Sequence, residues 1–284
     1  GESGTILQWE SSTDGGTTWD TIVNSTNQEI YTNLTVTTQY RVAVQAGSCP
    51  VAYATAATIT VDSISDGGNT AGATTLCSGA NSGDVTLANN VGTISNWEYS
   101  QDAGATWTNI VNTTATNSYL NLTGTTLFRA NVQSGVCPAD FSDTVTITID
   151  SLSVGGTVNS NMTVCSGNNS DTLTLTGELG SVLNWEYSTD GGFSWTTLVN
   201  DTTEQIFNNL ILATQYRALI QNGVCASDYS APVLVGVDAA TVGGNIIGSA
   251  TVCSSGNAGA LTLVGHTTSV AQWESSTDGG ATWS

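Results

Sequence analysis

The sequence predicts an all-β chain, a tandem array of antiparallel β-sandwich domains with an 88-residue period, and three observations support that reading. Tryptophans at 9, 97, 185 and 273 are spaced 88 apart, as are those at 19, 107, 195 and 283. Cysteines 49, 137 and 225, cysteines 77, 165 and 253, and arginines 41, 129 and 217 keep the same step. Between these landmarks lie short alternating runs separated by Gly, Asn and Asp turns, with no helical periodicity. A fixed long period without insertions marks a quasi-one-dimensional array. Both ends of the 284-residue sequence fall mid-repeat, in copies of one QWESSTDGG segment (8–16 and 272–280), so the array is expected to continue in both directions. The division is a C-terminal part at 1–61, whole repeats at 62–149 and 150–238, and an N-terminal part at 239–284.

Residues 62–149 show the elements in order. The DSISDGGN stretch (62–69) is a turn-rich linker, followed by an edge strand near 74–77. After the SGANSG turn, DVTLA (84–88) places Val85 and Leu87 on one face. SNWEYS (95–100) turns Trp97 and Tyr99 inward and Glu98 outward. TWTNIV (106–111) and SYLNL (118–122) are short strands. LFRANVQ (127–133) directs Phe128, Ala130 and Val132 inward, and DTVTITI (143–149) alternates Val145, Ile147 and Ile149 with threonines. Seven short strands with one inward Trp on the third match a sandwich of immunoglobulin type. In that arrangement the third and sixth strands are neighbours. The pairs Glu10–Arg41, Glu98–Arg129 and Glu186–Arg217, each 31 apart, then face one another as cross-strand ion pairs. Tyr40 and Tyr216 stand where a tyrosine corner would form, and Phe128 takes that place in the second repeat.

Composition excludes several functions. Twenty-three acidic residues against three arginines and no lysine give a net charge of −20. No basic stripe exists to neutralise nucleic-acid phosphates or anionic lipid, and no stretch is apolar enough for membrane insertion in this segment. The balance fits a soluble, self-repelling extracellular polymer. The six cysteines read as disulfides formed outside the cytosol. Bonds within a repeat would join Cys77–Cys137 and Cys165–Cys225, leaving Cys49 and Cys253 to partners elsewhere. Bonds across repeat boundaries would join Cys49–Cys77, Cys137–Cys165 and Cys225–Cys253. The within-repeat set is preferred because a domain with its own staple can fold alone.

STDGGTTW (12–19) and its copies match the Asp-box pattern, with Asp14, Asp102, Asp190 and Asp278 as its carboxylates. The box is a hairpin turn in which Asp satisfies backbone donors; the pattern is best known from sialidase propellers, where it lies away from the active site. One arginine per repeat cannot gather on a substrate carboxylate as a sialidase requires. No catalytic residues, cofactor or metal ligands are assigned, since His266 is the only histidine and no nucleophile–base pair can be argued. Inter-domain calcium at the linker, through Asp62 and Asp66, is the one cofactor to weigh, and Val154 replaces the second of these in the next copy.

The recurring series TVCSG, LTLTG, WEYSTDGG, W, NLT, TTQYRA, VQ, G and C resembles the tandem Ig-like repeats of large cell-surface adhesins of Bacteroidota, of the gliding-motility type secreted by the type IX system. The resemblance spans each repeat end to end. It implies a non-enzymatic, extracellular, cell-surface adhesive fibre whose partners are neighbouring repeats of the same chain, other copies in a filament, and a surface or glycan target. It also implies O-glycosylation at Asp-Ser/Thr-aliphatic sites, here Thr21, Ser63, Thr144, Ser151 and Thr172, with Ser63 and Ser151 on the 88-residue step. Two alternatives are a laterally self-assembling filament or sheath protein and accessory repeats of a glycan-binding or glycan-active protein.

Overall fold

Along residues Thr126–Gln133 every second side chain is buried (Thr126, Phe128, Ala130 and Val132), and the intervening ones lie at the solvent boundary. That period of two gives a strand one dry face, and the dry face needs a second sheet to cover it. A computed structural model of the chain describes residues 4–159 and 161–284, and the described elements are strands. The chain divides into two compact units, Gly1–Ser151 and Leu152–Ser284.

The first repeat contributes β1 (Thr5–Ser12), β2 (Asp20–Ile22), β3 (Thr38–Gln45), β4 (Ala52–Tyr53) and β5 (Ala57–Ile59). The second contributes β6 (Asn69–Ala71), β7 (Thr74–Cys77), β8 (Ser82–Ala88), β9 (Thr93–Ser100), β10 (Thr108–Ile110), β11 (Thr116–Leu120), β12 (Thr126–Gln133), β13 (Asp140–Phe141) and β14 (Val145–Asp150). In the third, β15 (Thr157–Val158), β16 (Met162–Cys165), β17 (Ser170–Thr176), β18 (Ser181–Ser188), β19 (Thr196–Leu198), β20 (Glu204–Asn208), β21 (Thr214–Gln221), β22 (Asp228–Tyr229) and β23 (Val233–Asp238) repeat that series. The last segment holds β24 (Asn245–Ile247) and β25 (Thr262–Val264).

The second repeat is a two-layer sandwich. One sheet runs β10-β9-β12-β14-β7 with β13 also on β12, and the other runs β11-β8-β6. The strand pairs are antiparallel except β7 and β14, which run parallel. The third repeat has the same order in both sheets. Its core of Leu173, Leu175, Trp185, Phe207, Tyr216, Ala218, Ile220, Val233 and Val235 is the second repeat's core moved along by one period. Trp97 and Trp185 are wholly buried.

Two strands were hidden in the sequence. β6 and β13 are three and two residues long, too short for alternation to show. The linker therefore ends in a strand, with Asn69 opposite Ala88, and Asp66 bridges Val91. The strand expected at 118–122 lies at Thr116–Leu120, with Asn117 and Tyr119 buried. A buried Asn broke the apolar pattern there; its side-chain oxygen accepts a hydrogen bond from Asn112 at 3.2 Å.

One internal substitution pattern reports on packing. Tyr119 stacks on Phe128 with centroids 5.9 Å apart, and Phe207 stacks on Tyr216 at 6.2 Å, so the hydroxyl changes sides between repeats. Tyr119 lies opposite Gly83 in the β8–β11 register, and a Cβ there would stand 2.4 Å from the Tyr119 hydroxyl. In the third repeat Phe207 lies opposite Asp171. The hydroxyl and the glycine go together for steric reasons. The single-sheet segment at 4–61 and the strand pair at 239–284 bury less: Trp9 is half-buried and Trp273 is 54% exposed.

Replacing Gly83 by Ala overpacks this contact and is expected to cost about 1–3 kcal/mol in urea unfolding. Adding Tyr119→Phe to Gly83→Ala should recover a large part of the loss. A double variant no more stable than Gly83→Ala alone would show that the hydroxyl is not the obstacle.

Candidate functional site

The residues that recur most faithfully meet on the outer face of the β9–β12 sheet. Glu98 and Arg129 are direct partners in the strand register, as are Glu10 with Arg41 and Glu186 with Arg217. In the second repeat Arg129 Nε donates to Glu98 Oε2 at 2.8 Å, and Nη2 reaches the same oxygen at 2.7 Å. The other two pairs have the same geometry, each with Nη2 at 2.7 Å.

The ion pair is only part of the cluster. The Arg129 guanidinium carbon lies 3.9 Å from the centroid of Trp107 and 3.8 Å from that of Phe141. Arg41 lies between Trp19 and Tyr53 and Arg217 between Trp195 and Tyr229, at 3.8–4.1 Å. Each guanidinium is a flat cation with an aromatic face on both sides and a carboxylate at its edge. The ion pairs are partly buried, with Glu10 and Glu186 shielded from solvent, so each is worth about 1 kcal/mol, the upper end of the range for surface pairs, and each ring contact adds about 0.5–1 kcal/mol. The sequence signal for the third layer was present, since Tyr53, Phe141 and Tyr229 also keep the 88-residue step. It was missed because their strands are two residues long.

The tryptophan of each stack comes from the Asp-box turn. In the second repeat Asp102 accepts from the Thr106 amide at 2.9 Å, the Thr106 hydroxyl at 2.5 Å and the Ser100 hydroxyl at 2.7 Å. Trp107 Nε1 closes back on the Gly104 carbonyl at 3.0 Å. Asp14, Asp190 and Asp278 have the same set of donors. These bonds, led by the Thr106 hydroxyl, hold the Asp102 carboxyl down at about 2, from an ordinary 3.8. Asp14, Asp190 and Asp278 are pulled lower still, chiefly by the hydroxyls of Thr18, Ser194 and Thr282. The carboxylates are spent on their own turns.

A third recurring unit closes over the buried tryptophan. Trp97 Nε1 donates to the Thr114 carbonyl at 2.9 Å, Trp185 Nε1 to Thr202 at 2.9 Å and Trp9 Nε1 to Thr26 at 3.0 Å. The loop holding that carbonyl is shaped by Asn112, whose side chain accepts from the Thr114 amide and donates to the Thr116 carbonyl. Asn24 and Asn200 do the same in their repeats.

The cysteines depart from expectation. Cys77 and Cys225 are disulfide-bonded, whereas Cys49, Cys137, Cys165 and Cys253 carry free thiols. Neither Cys77–Cys137 nor Cys165–Cys225 is formed, and neither are the bonds spanning 28 residues. The reason is the direction of the strands. Cys77 lies level with Asp150 at the end of β14, while Cys137 follows β12, which runs the opposite way and pairs Phe128 with Val145. About ten residues of strand separate those levels, roughly 33 Å at the usual rise. A disulfide needs Cα atoms within about 7 Å.

The remaining candidates sit as follows. Thr21, Ser63, Thr144 and Ser151 are exposed and Thr172 is half-buried. Asp62 accepts from the Val136 amide at 3.0 Å and Asp66 from the Gly68 amide at 2.9 Å, so both linker carboxylates serve the backbone. Among the described residues no cluster of three or more His, Cys, Asp or Glu could hold a metal ion, and no helix is long and apolar enough to cross a membrane.

A family model described as a domain of unknown function (DUF8696) matches the chain four times, at residues 1–63, 66–151, 154–239 and 242–284. Among solved structures, a three-Ig segment of titin carrying E-to-A mutations is 10% identical, covering 82% of this chain and 88% of its own, with a TM-score of 0.46. The FN1–FN3 domains of chicken CNTN1 are 11% identical over 82% of this chain and 88% of theirs, with a TM-score of 0.26. The fibronectin(III)-like modules of Clostridium thermocellum CbhA are 16% identical over 63% and 95%, with a TM-score of 0.27. No curated protein matches the sequence.

Arg129→Ala is expected to lower the stability of its repeat by about 1–3 kcal/mol, from the ion pair and two ring contacts together. Arg129→Lys should recover less than half, because an ammonium neither stacks nor forks. Urea midpoints of the three chains test this, and equal stability of the Lys variant and the parent would reject the stacking contribution. For the turn, a carboxyl held low in the folded state contributes fully above about pH 4 and loses its contribution as pH falls through about 2. The Trp107 indole resonance should therefore move in that acid range, and Asp102→Asn should abolish the step. A transition centred at pH 4 would contradict it.

Proposed function

The chain belongs to the DUF8696 family, and on that footing we propose that it is a structural segment of a long, secreted, non-enzymatic cell-surface adhesin, whose repeats give reach and attachment. One observation carries the reading: the guanidinium stack, the Asp-box turn and the capped tryptophan recur in register with their polar groups spent on one another. Side chains so committed hold strands together and offer no free nucleophile, base or ligand set. Such material transmits load and presents surface. The resemblance to gliding-type adhesins of Bacteroidota supports an extracellular, type IX-secreted origin, and the exposed Ser63 and Ser151 suit O-linked sugars.

The test is immunological and functional at once. Antibodies raised against the segment should label intact, unpermeabilised cells of the source organism and block their attachment to glass. Labelling only after lysis would reject the surface location. Strong surface labelling with unimpaired attachment and movement would reject the adhesive role.

A further inference from the structure

In the second repeat the half-buried Tyr99 stands between two clefts. On one side, a cleft of about 200 Å³ is floored by Tyr119 and Phe128 and walled by Ile110 and Leu122. On the other, a cleft of about 230 Å³ is lined by Gln101, Asp102 and Thr108. The three rings make a corner: Tyr99 tilts 41° against Phe128 at 6.5 Å, and Tyr119 stacks on Phe128 at 5.9 Å. The corner lies at the open side of the sandwich, where β10 ends one sheet and β11 ends the other. The apolar cleft recurs one period on. Tyr187, Phe207 and Tyr216, with Leu198 and Leu210, line a cleft of about 270 Å³, and Tyr187 tilts 38° against Tyr216 at 6.4 Å. Between the two copies the aromatic floor is kept while the rim changes, Gln101 to Thr189 and Leu120 to Asn208. In the first and last segments Ser11 and Ser275 stand in the tyrosine's place.

A ligand for such a site has to be apolar on one face and hydrogen-bonding at its edge, because a single ring divides hydrocarbon from amide and hydroxyl groups. It also has to be uncharged. Among the described lining residues Asp102 is the one charged side chain, and Arg129 is turned to the outer face of the sheet with Glu98. No cation is placed to hold an anion, and a net charge of −20 repels one. A cation would meet a lone carboxylate that the Thr106 and Ser100 donors already engage. We infer that the cleft beside Tyr99, and its copy beside Tyr187, bind a neutral pyranose sugar. Its C–H face lies on the tyrosine ring, and its hydroxyls turn toward Gln101 and Thr108 in one repeat and Thr189 in the next. The inference rests on the two complete repeats and not on where the protein resides, so it holds or fails apart from the adhesin reading.

Methyl NMR of the 284-residue chain tests it, with Ile110 and Leu122 reporting on one cleft and Leu198 and Leu210 on the other. The probes are the methyl β-glycosides of glucose, galactose, mannose and N-acetylglucosamine, with methyl glucuronide and glycerol for comparison. At least one neutral glycoside should shift both sets of methyls to saturation in the millimolar range, as suits so small a ligand. Glucuronide should bind roughly tenfold more weakly, and glycerol, which has no ring face, should not saturate. Tyr99→Ser installs the residue of the first segment, where Ser11 keeps the same strand register. It should abolish the response of Ile110 and Leu122 and spare that of Leu198 and Leu210, and Tyr187→Ser should do the reverse. Gln101→Ala, a change at an exposed rim residue, should weaken binding in the second repeat several-fold with the Trp97 indole resonance unmoved. Saturation by none of the neutral glycosides, an equal response to glycerol or glucuronide, or full binding by the Tyr99→Ser or Gln101→Ala chain overturns the inference.

Discussion

Burying a whole indole is the constraint on which each repeat is built. Trp97 and Trp185 lie between the two sheets with no exposed surface, and an indole N–H placed there without an acceptor would cost on the order of 1–3 kcal/mol. The acceptor comes from a loop carbonyl, and that carbonyl is in place because an asparagine two residues earlier folds the loop around it. The sheets can therefore close over their largest side chain only when this loop is formed. Sandwich, loop and tryptophan make one cooperative unit, and Asn24, Asn112 and Asn200 are turn residues although each opens an Asn-x-Ser/Thr triplet.

The outer face of the same sheet obeys a second economy. A chain with three cations places each of them in one kind of site, with a carboxylate at its edge and a ring on either side. Arginine suits that site because its charge is planar and weakly hydrated. The stack joins β9 and the Asp-box turn that continues it to β12 and the short β13. Its position off the core leaves the interior free for aliphatic and aromatic packing.

Much of this was legible in the residues. Alternation located the long strands, the 88-residue step located the repeats, and the outward Glu and Arg could be set opposite each other from strand order alone. The two-residue strands carrying Phe141 and Tyr229 were not legible, because two residues cannot display a period. The cysteine pairing failed for a different reason. Spacing within a repeat says nothing about which end of a sandwich a loop reaches, and only the antiparallel run of β12 against β14 places Cys77 and Cys137 apart. Tyr40 and Tyr216 stood where a hydroxyl-based corner was expected and Phe128 where none could form, yet the rings of Tyr216 and Phe128 share one role, each stacking on an aromatic of the opposite sheet.

The exchange of Tyr119 and Phe207 bears on how such an array avoids tangling. Adjacent domains of one fold emerging from one chain risk trading strands while they fold. β11 fits its own β8 because Gly83 leaves room for a hydroxyl, whereas the equivalent place in the next repeat is filled by Asp171. A β11 strand that strayed onto β17 would drive the Tyr119 hydroxyl into that side chain. A difference of one atom's width between neighbours thus makes the native pairing of β11 sterically distinct from the mispaired one.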